Sequence, residues 1–197
     1  MTAEVVPLRG RLEPEPELSD ESLAGACSSG DPAAVAGLFD RFHHPVARYI
    51  YRLIGGGPDV DDLLQATFLE VARGQTHYDR SRGSVATWLF AIATNVVRHH
   101  RRSTARRMRL LSTAAQVAPV AHEDVADRTD ARRQLDRARI ALEALDADLR
   151  EAFVLCELEG LSAKEAGLAL GATEVAVWKR VSKARASLRQ VVLGAQP

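Results

Sequence analysis

Cysteine is nearly absent from this 197-residue chain: Cys27 and Cys156 stand alone, without the paired spacing of a disulfide framework or a zinc motif. Aromatic residues make up only 5%, although a 46% hydrophobic share still suffices for real cores. No alternation of strand type is sustained anywhere, which leaves an all-α class. No apolar run reaches membrane-spanning length. The N-terminus has Pro and Glu where a secretory leader needs a basic start and a hydrophobic block, so a cytoplasmic chain without membrane insertion is expected. Gly55-Gly56-Gly57 lacks both the preceding strand and the following Lys-Ser/Thr of a phosphate-cradling loop. No nucleophile, base and orienting group converge at a recognisable spacing, so no enzymatic activity and no cofactor are expected. His43-His44 and His99-His100 are neighbours that point about 100° apart on a helix, so neither pair grips one ion from one face, and no metal site is expected.

Net charge is also missing, since 26 basic and 26 acidic residues cancel. The zero is an average over segments of opposite sign. Residues 1–22 carry −4 and 23–72 carry −3, whereas 73–109 hold nine arginines against Asp79 alone. Residues 110–160 return to −5 and 161–197 to +4. Two positive segments far apart in sequence suggest two separate contacts with a polyanion.

Organisation follows the same divisions. Residues 1–18, with Pro7, Pro14 and Pro16 among acids, read as a disordered tail. A first helical module spans 19–103, a linker with Pro119 spans 104–130, and a second module spans 131–193. In the first module Ala34 to Ile54 reads as one helix closed by the three glycines. Asp59 is expected to cap the next, which presents Leu63, Leu64 and Phe68 to a core and Asp61, Asp62, Gln65 and Glu70 to the other side. A third helix runs from Val85 to about Arg102. Its apolar face holds Val85, Trp88, Leu89, Ile92 and Val96. Thr87, Ala91, Thr94, Asn95, Arg98, Arg101 and Arg102 line the other at steps of three and four, a stripe on which a nucleic-acid backbone would lie.

The densest signal is LSAKEAGLALGATEVAVWKRVSKARASLR, from Leu161 to Arg189. Ser162 and Glu165 form a capping-box pattern, Gly171 ends the helix after two turns, and Thr173 caps a second helix. Val177, Val181, Ala184, Leu188 and Val191 give that helix a buried face. Lys179, Arg180, Lys183, Arg185 and Arg189 oppose one acid, Glu174. A short helix, a tight turn and a longer basic helix form a helix-turn-helix suited to a DNA major groove.

In order along the chain, four stretches resemble the extracytoplasmic-function (ECF) group of bacterial sigma factors. LFDRFHHPVARYIYRL resembles the opening helix of the sigma-two domain. PDVDDLLQATFLEVAR resembles the helix that docks on the RNA polymerase β′ clamp. YDRSRGSVATWLFAIATNVVRHHRR, with Trp88, Leu89, Ile92, Ala93 and Asn95, resembles the segment that melts and reads the minus-ten element. The stretch from Ala144 to Arg189 is similar to the sigma-four domain, which binds the minus-thirty-five element. The resemblance implies two small helical domains, core RNA polymerase (β′ clamp and β subunits) and promoter DNA as partners, and an anti-sigma factor. It assigns polymerase contact to Asp61, Asp62, Leu64, Gln65 and Phe68. Minus-ten contact falls to Tyr78, Arg80, Arg82, Thr94, Asn95, Arg98, Arg101 and Arg102. Minus-thirty-five contact falls to Thr173, Val175, Ala176, Trp178, Lys179, Arg180 and Lys183.

Some positions depart from that pattern. Ala66 stands where an acid is common and His99 where Asp is common. Gly167 replaces the usual Ala, costing ~1 kcal/mol of helix propensity. Trp178 either meets a thymine methyl or sugar, or packs against a neighbouring element, with packing favoured. Tyr78 either stacks on a base flipped into the loop 74–84 or packs beneath that loop. Two other functions remain open: a dimeric helix-turn-helix regulator that binds operators without polymerase, and a partner-sequestering protein that has lost DNA binding. The Asp61-to-Glu70 face and the Trp88 helix argue against the first, and the basic stripe against the second.

Overall fold

The computed structural model describes residues 18–74, 76–112 and 130–194, so most of the expected tail and linker lies outside the described residues. Eight α-helices follow one another: α1 Asp20–Cys27, α2 Pro32–Ile54, α3 Asp59–Ala72, α4 Val85–Ser112, α5 Asp130–Glu143, α6 Ala147–Phe153, α7 Ala163–Leu170 and α8 Glu174–Gly194. No strand occurs among the described residues, and none of the described helices is long and apolar enough to cross a membrane.

Local chemistry sets the ends of these helices. Asp31 caps α2 by accepting the Ala33 N–H at 2.9 Å, with Pro32 at the first helical position. Gly55, at φ 82°, closes α2 in the left-handed region where side chains are disfavoured. Asp59 is not a cap. It is the first residue of α3, after Pro58, and its carboxylate lies 3.4 Å from His100 Nε2 on α4.

The helix α4 corrects the sequence reading twice. It continues to Ser112, about ten residues past the expected end, because Ala105, Arg106, Arg107, Met108 and Leu110 are helix formers with no glycine or proline among them. Its first half is also buried nearly all round: Phe90, Ala93, Thr94 and Val97 join Val85, Leu89 and Ile92 inside. A helix apolar on every side takes a central place, and α4 packs against α2, α3 and α7.

In the second module, α6 runs into a π-helical turn, Val154–Leu158, before the helix-turn-helix of α7 and α8. The capping box forms as expected. Ser162 Oγ accepts the Glu165 N–H at 3.2 Å, and the Glu165 carboxylate accepts the Ser162 N–H at 2.9 Å. The hydrogen bonds from Ser162 hold the Glu165 carboxyl below its ordinary range. Gly171 sits at φ 65°, Thr173 Oγ1 accepts the Ala176 N–H at 3.2 Å, and Val177, Val181 and Ala184 are buried.

Gly167 is a steric requirement of this turn. A Cβ there would lie 2.7 Å from the backbone oxygen of Ala172. Alanine gains ~1 kcal/mol of helix propensity, but moving the turn aside costs about 1–3 kcal/mol in overpacking. Gly167→Ala is therefore expected to lower the thermal midpoint. A midpoint equal to or above the parent's would show that the turn yields freely.

The two modules share one continuous buried core, which runs from Leu38, Tyr49 and Leu89 in the first to Leu155, Ala166 and Val177 in the second. Leu145, Leu149 and Ala184 form a smaller cluster between α6 and α8.

Candidate nucleic-acid interface

Asp61, Asp62 and Gln65 are all exposed on the outer side of α3. Leu64 and Phe68 are not beside them: at 8% and 5% exposure they belong to the core, and so hold the helix in place without touching a partner. This corrects their assignment as contacts. Two apolar residues take their place. Leu69, 56% exposed, follows Asp62 and Gln65 at helical spacing. Phe39 of α2 is also exposed and sets its ring against Phe68, with centroids 5.0 Å apart. The spacing 62, 65, 69 carried this signal, but a leucine in an apolar-rich helix reads as core.

The loop before α4 is built by Asp79. Its carboxylate accepts the Ser81 N–H at 2.9 Å and the Ser81 hydroxyl at 2.7 Å, shaping a 3-10 turn over Arg80–Arg82. These bonds hold the Asp79 carboxyl below its usual range. Arg80 and Arg82 are exposed on the turn, and Arg80 lies 3.2 Å from Glu21. Tyr78 packs beneath the loop. Its hydroxyl donates to the Gly83 carbonyl at 3.2 Å, and its ring lies 5.8 Å from that of Trp88.

Along α4 the expected stripe divides. Thr94 is fully buried, its hydroxyl 2.7 Å from the Phe90 carbonyl and 2.7 Å from the Tyr49 hydroxyl. It is a structural residue and not a DNA contact, because the central position of α4 leaves that face no route to solvent. Burial pushes the Tyr49 phenol well above its ordinary range, against the hydrogen bond to Thr94. Asn95 and Arg102 are exposed.

Arg98 and Arg101 turn instead toward the second module. Arg98 donates through Nε and Nη2 to Glu151 Oε2, at 3.1 and 2.7 Å, and through Nη1 to the Leu170 carbonyl at 3.4 Å. Burial works against its charge, but the bonds and field of Glu151 prevail and raise its pKa. Arg101 donates to the Leu53 carbonyl and lies 3.6 Å from Glu151 Oε1. A cleft of about 340 Å³ opens where the modules meet, with Arg82, Asn95 and Arg98 on one wall and Leu168 and Gly171 on the other.

On α8, Val175 and Trp178 are 62% and 53% exposed, with Lys179 and Lys183 exposed beside them. The favoured packing role of Trp178 is therefore corrected: the indole stands in solvent on the outer face of the helix. Thr173 is the capping residue and Ala176 is half-buried. Arg180 differs from its neighbours, since Asp148 of α6 holds its Nη2 at 3.0 Å.

Residues 38–107 match sigma-70 region 2, and residues 133–188 match sigma-70 region 4. The ECF RNA polymerase sigma factor SigE of Mycolicibacterium smegmatis is 33% identical, over 88% of this chain and 69% of its own. The RNA polymerase sigma factor CarQ of Myxococcus xanthus is 34% identical, over 83% of this chain and 91% of its own. Among solved structures, CnrH in complex with the cytosolic domain of CnrY superposes with a TM-score of 0.64 at 28% identity, covering 90% of this chain and 99% of CnrH.

Proposed function

This chain belongs to the ECF family of RNA polymerase sigma factors, and we propose how its surfaces divide the family's work. It binds core RNA polymerase and directs promoter-specific initiation of transcription. The polymerase surface is the face of Asp61, Asp62 and Gln65, bordered by Leu69 and Phe39, with the β′ clamp as its target. The minus-ten surface comprises Arg80, Arg82, Asn95, Arg98, Arg101 and Arg102. The minus-thirty-five surface is the outer face of α8, with Val175, Trp178, Lys179 and Lys183.

One observation carries this division: an exposed acidic and apolar face stands on α3, apart from basic faces on two different modules. An operator-binding repressor has no use for the first. Nucleic acid repels that face, whereas a protein with basic or apolar docking residues accepts it. The complex of CnrH with the cytosolic domain of CnrY supports a regulator of the anti-sigma kind for this chain as well. The site of action is the cytoplasm, at the nucleoid when in holoenzyme, and the chain carries out no reaction of its own.

Run-off transcription with purified core enzyme and a genomic promoter library tests the reading. Discrete transcripts that need this protein are expected, together with co-elution at one copy per core. If the protein neither co-elutes nor supports any promoter-dependent transcript, the reading fails.

A further inference from the structure

Two carboxylates of the second module are buried where it meets the first, and arginines of the first module hold both. The Glu151 side chain is 1% exposed and takes Arg98 at 2.7 Å and Arg101 at 3.6 Å. The Glu159 side chain is 2% exposed and takes Arg48 at 3.0 Å and Arg52 at 2.5 Å. Two further bonds cross the junction the other way: Arg139 donates to the Gly55 carbonyl at 3.0 Å and Arg150 to the Leu53 carbonyl at 2.6 Å.

The chemistry at Glu151 is that of a bound phosphate. A guanidinium fork meets one anionic oxygen through two N–H groups, and a second guanidinium stands close by. A guanidinium so engaged cannot also meet a DNA phosphate. The adjoining cleft is walled by residues 168–171 of the second module, which leaves no room there for a strand lying on Arg98.

We propose that this compact arrangement is a self-occluded form of the chain: Glu151 and Glu159 hold the second module over the nucleic-acid face of α4, and the modules must part before that face meets DNA. The proposal rests on the reading of Arg98 and Arg101 as DNA contacts. The balance between the two forms is fine by construction. Buried ion pairs return little net stability once their desolvation is counted, and all of these charges regain water when the modules separate. Polymerase, by binding the modules apart, selects the open form. The free chain binds DNA with an affinity reduced by the fraction that is open.

The test uses the full chain with Glu151→Gln and Glu159→Gln together. A charge-matched control neutralises the exposed Asp40 and Asp146 as asparagine. Small-angle scattering reads the radius of gyration. Fluorescence anisotropy with a labelled single-stranded deoxyoligonucleotide reads affinity. The double variant is expected to expand and to bind about tenfold more tightly, or better, than the control. Glu159→Arg should also expand the chain, and adding Arg52→Glu should restore compactness and weak binding, a rescue that a misfolded variant would not give. A double variant as compact as the parent overturns the proposal, as does one that expands but binds no better than the control. Permanganate footprinting of holoenzyme with Arg98→Ala and Arg102→Ala probes the underlying reading separately. Normal promoter opening there would remove those arginines as DNA contacts, whatever scattering shows.

Discussion

Reversing Asp61 and Asp62 to arginine is expected to abolish binding to core RNA polymerase, a loss of at least about 100-fold, while the protein stays folded. Both side chains are exposed and opposite the core, so no packing is lost. They do lie in the first turn of α3, where the helix dipole favours negative charge. Each reversal should therefore cost ~0.3–1 kcal/mol, lowering the thermal midpoint by roughly 2–8 °C in total. Asp59→Arg supplies the control. It pays a similar dipole cost in the same turn, but its side chain faces His100 on α4 and not the outer face. Gel filtration with core enzyme should show the double variant eluting alone and the Asp59 variant co-eluting. A double variant that still binds core at parental affinity would sink the assignment of this face.

Removing Lys179 and Lys183 as alanines should produce the largest change in salt dependence. Each exposed ammonium that neutralises one phosphate contributes a slope of about −0.9 to the plot of log affinity against log salt, so losing both should flatten that plot by roughly 1.8. The measurement is holoenzyme binding to duplex promoter over a salt series. Sequence preference should be retained, because phosphate contacts carry none. Trp178→Ala should behave oppositely, leaving the slope in place and changing preference at one or two bases. Arg180→Ala should do something else again. It strands Asp148 on α6, so melting should shift along with affinity. An unchanged slope in the double lysine variant would show that α8 meets DNA along another face.

What the sequence revealed depended on how far apart the causes lie. The turn of the helix-turn-helix was legible in full, because Ser162, Glu165, Gly171 and Thr173 act on neighbours within a few residues. The outer face of α3 was legible for the same reason, since helical spacing alone separates Asp61, Asp62 and Gln65 from Leu63. The fate of Arg98 was not. Its partner Glu151 lies in the other module, and no local pattern announces that pairing. Thr94 was misplaced because periodicity assigns α4 one apolar face, whereas helices on several sides cover it. Gly167 looked like a weak choice by propensity until the Ala172 carbonyl beside it was placed. The basic end of α4 passed for linker because arginine-rich sequence looks like loop while favouring helix.

The length of α4 also sets a limit on promoter architecture. With the helix continuing to Ser112 and α5 beginning at Asp130, only the residues between them can act as tether. Fully extended, that stretch reaches at most about 60 Å. Along B-DNA, at 3.4 Å per base pair, this corresponds to roughly 18 base pairs. An expected linker starting at residue 104 would have allowed about half as much again. The rigid extension of α4 thus acts as a ruler: promoters whose two elements lie much farther apart than this reach, allowing for the breadth of the modules, cannot be gripped at both ends by one molecule.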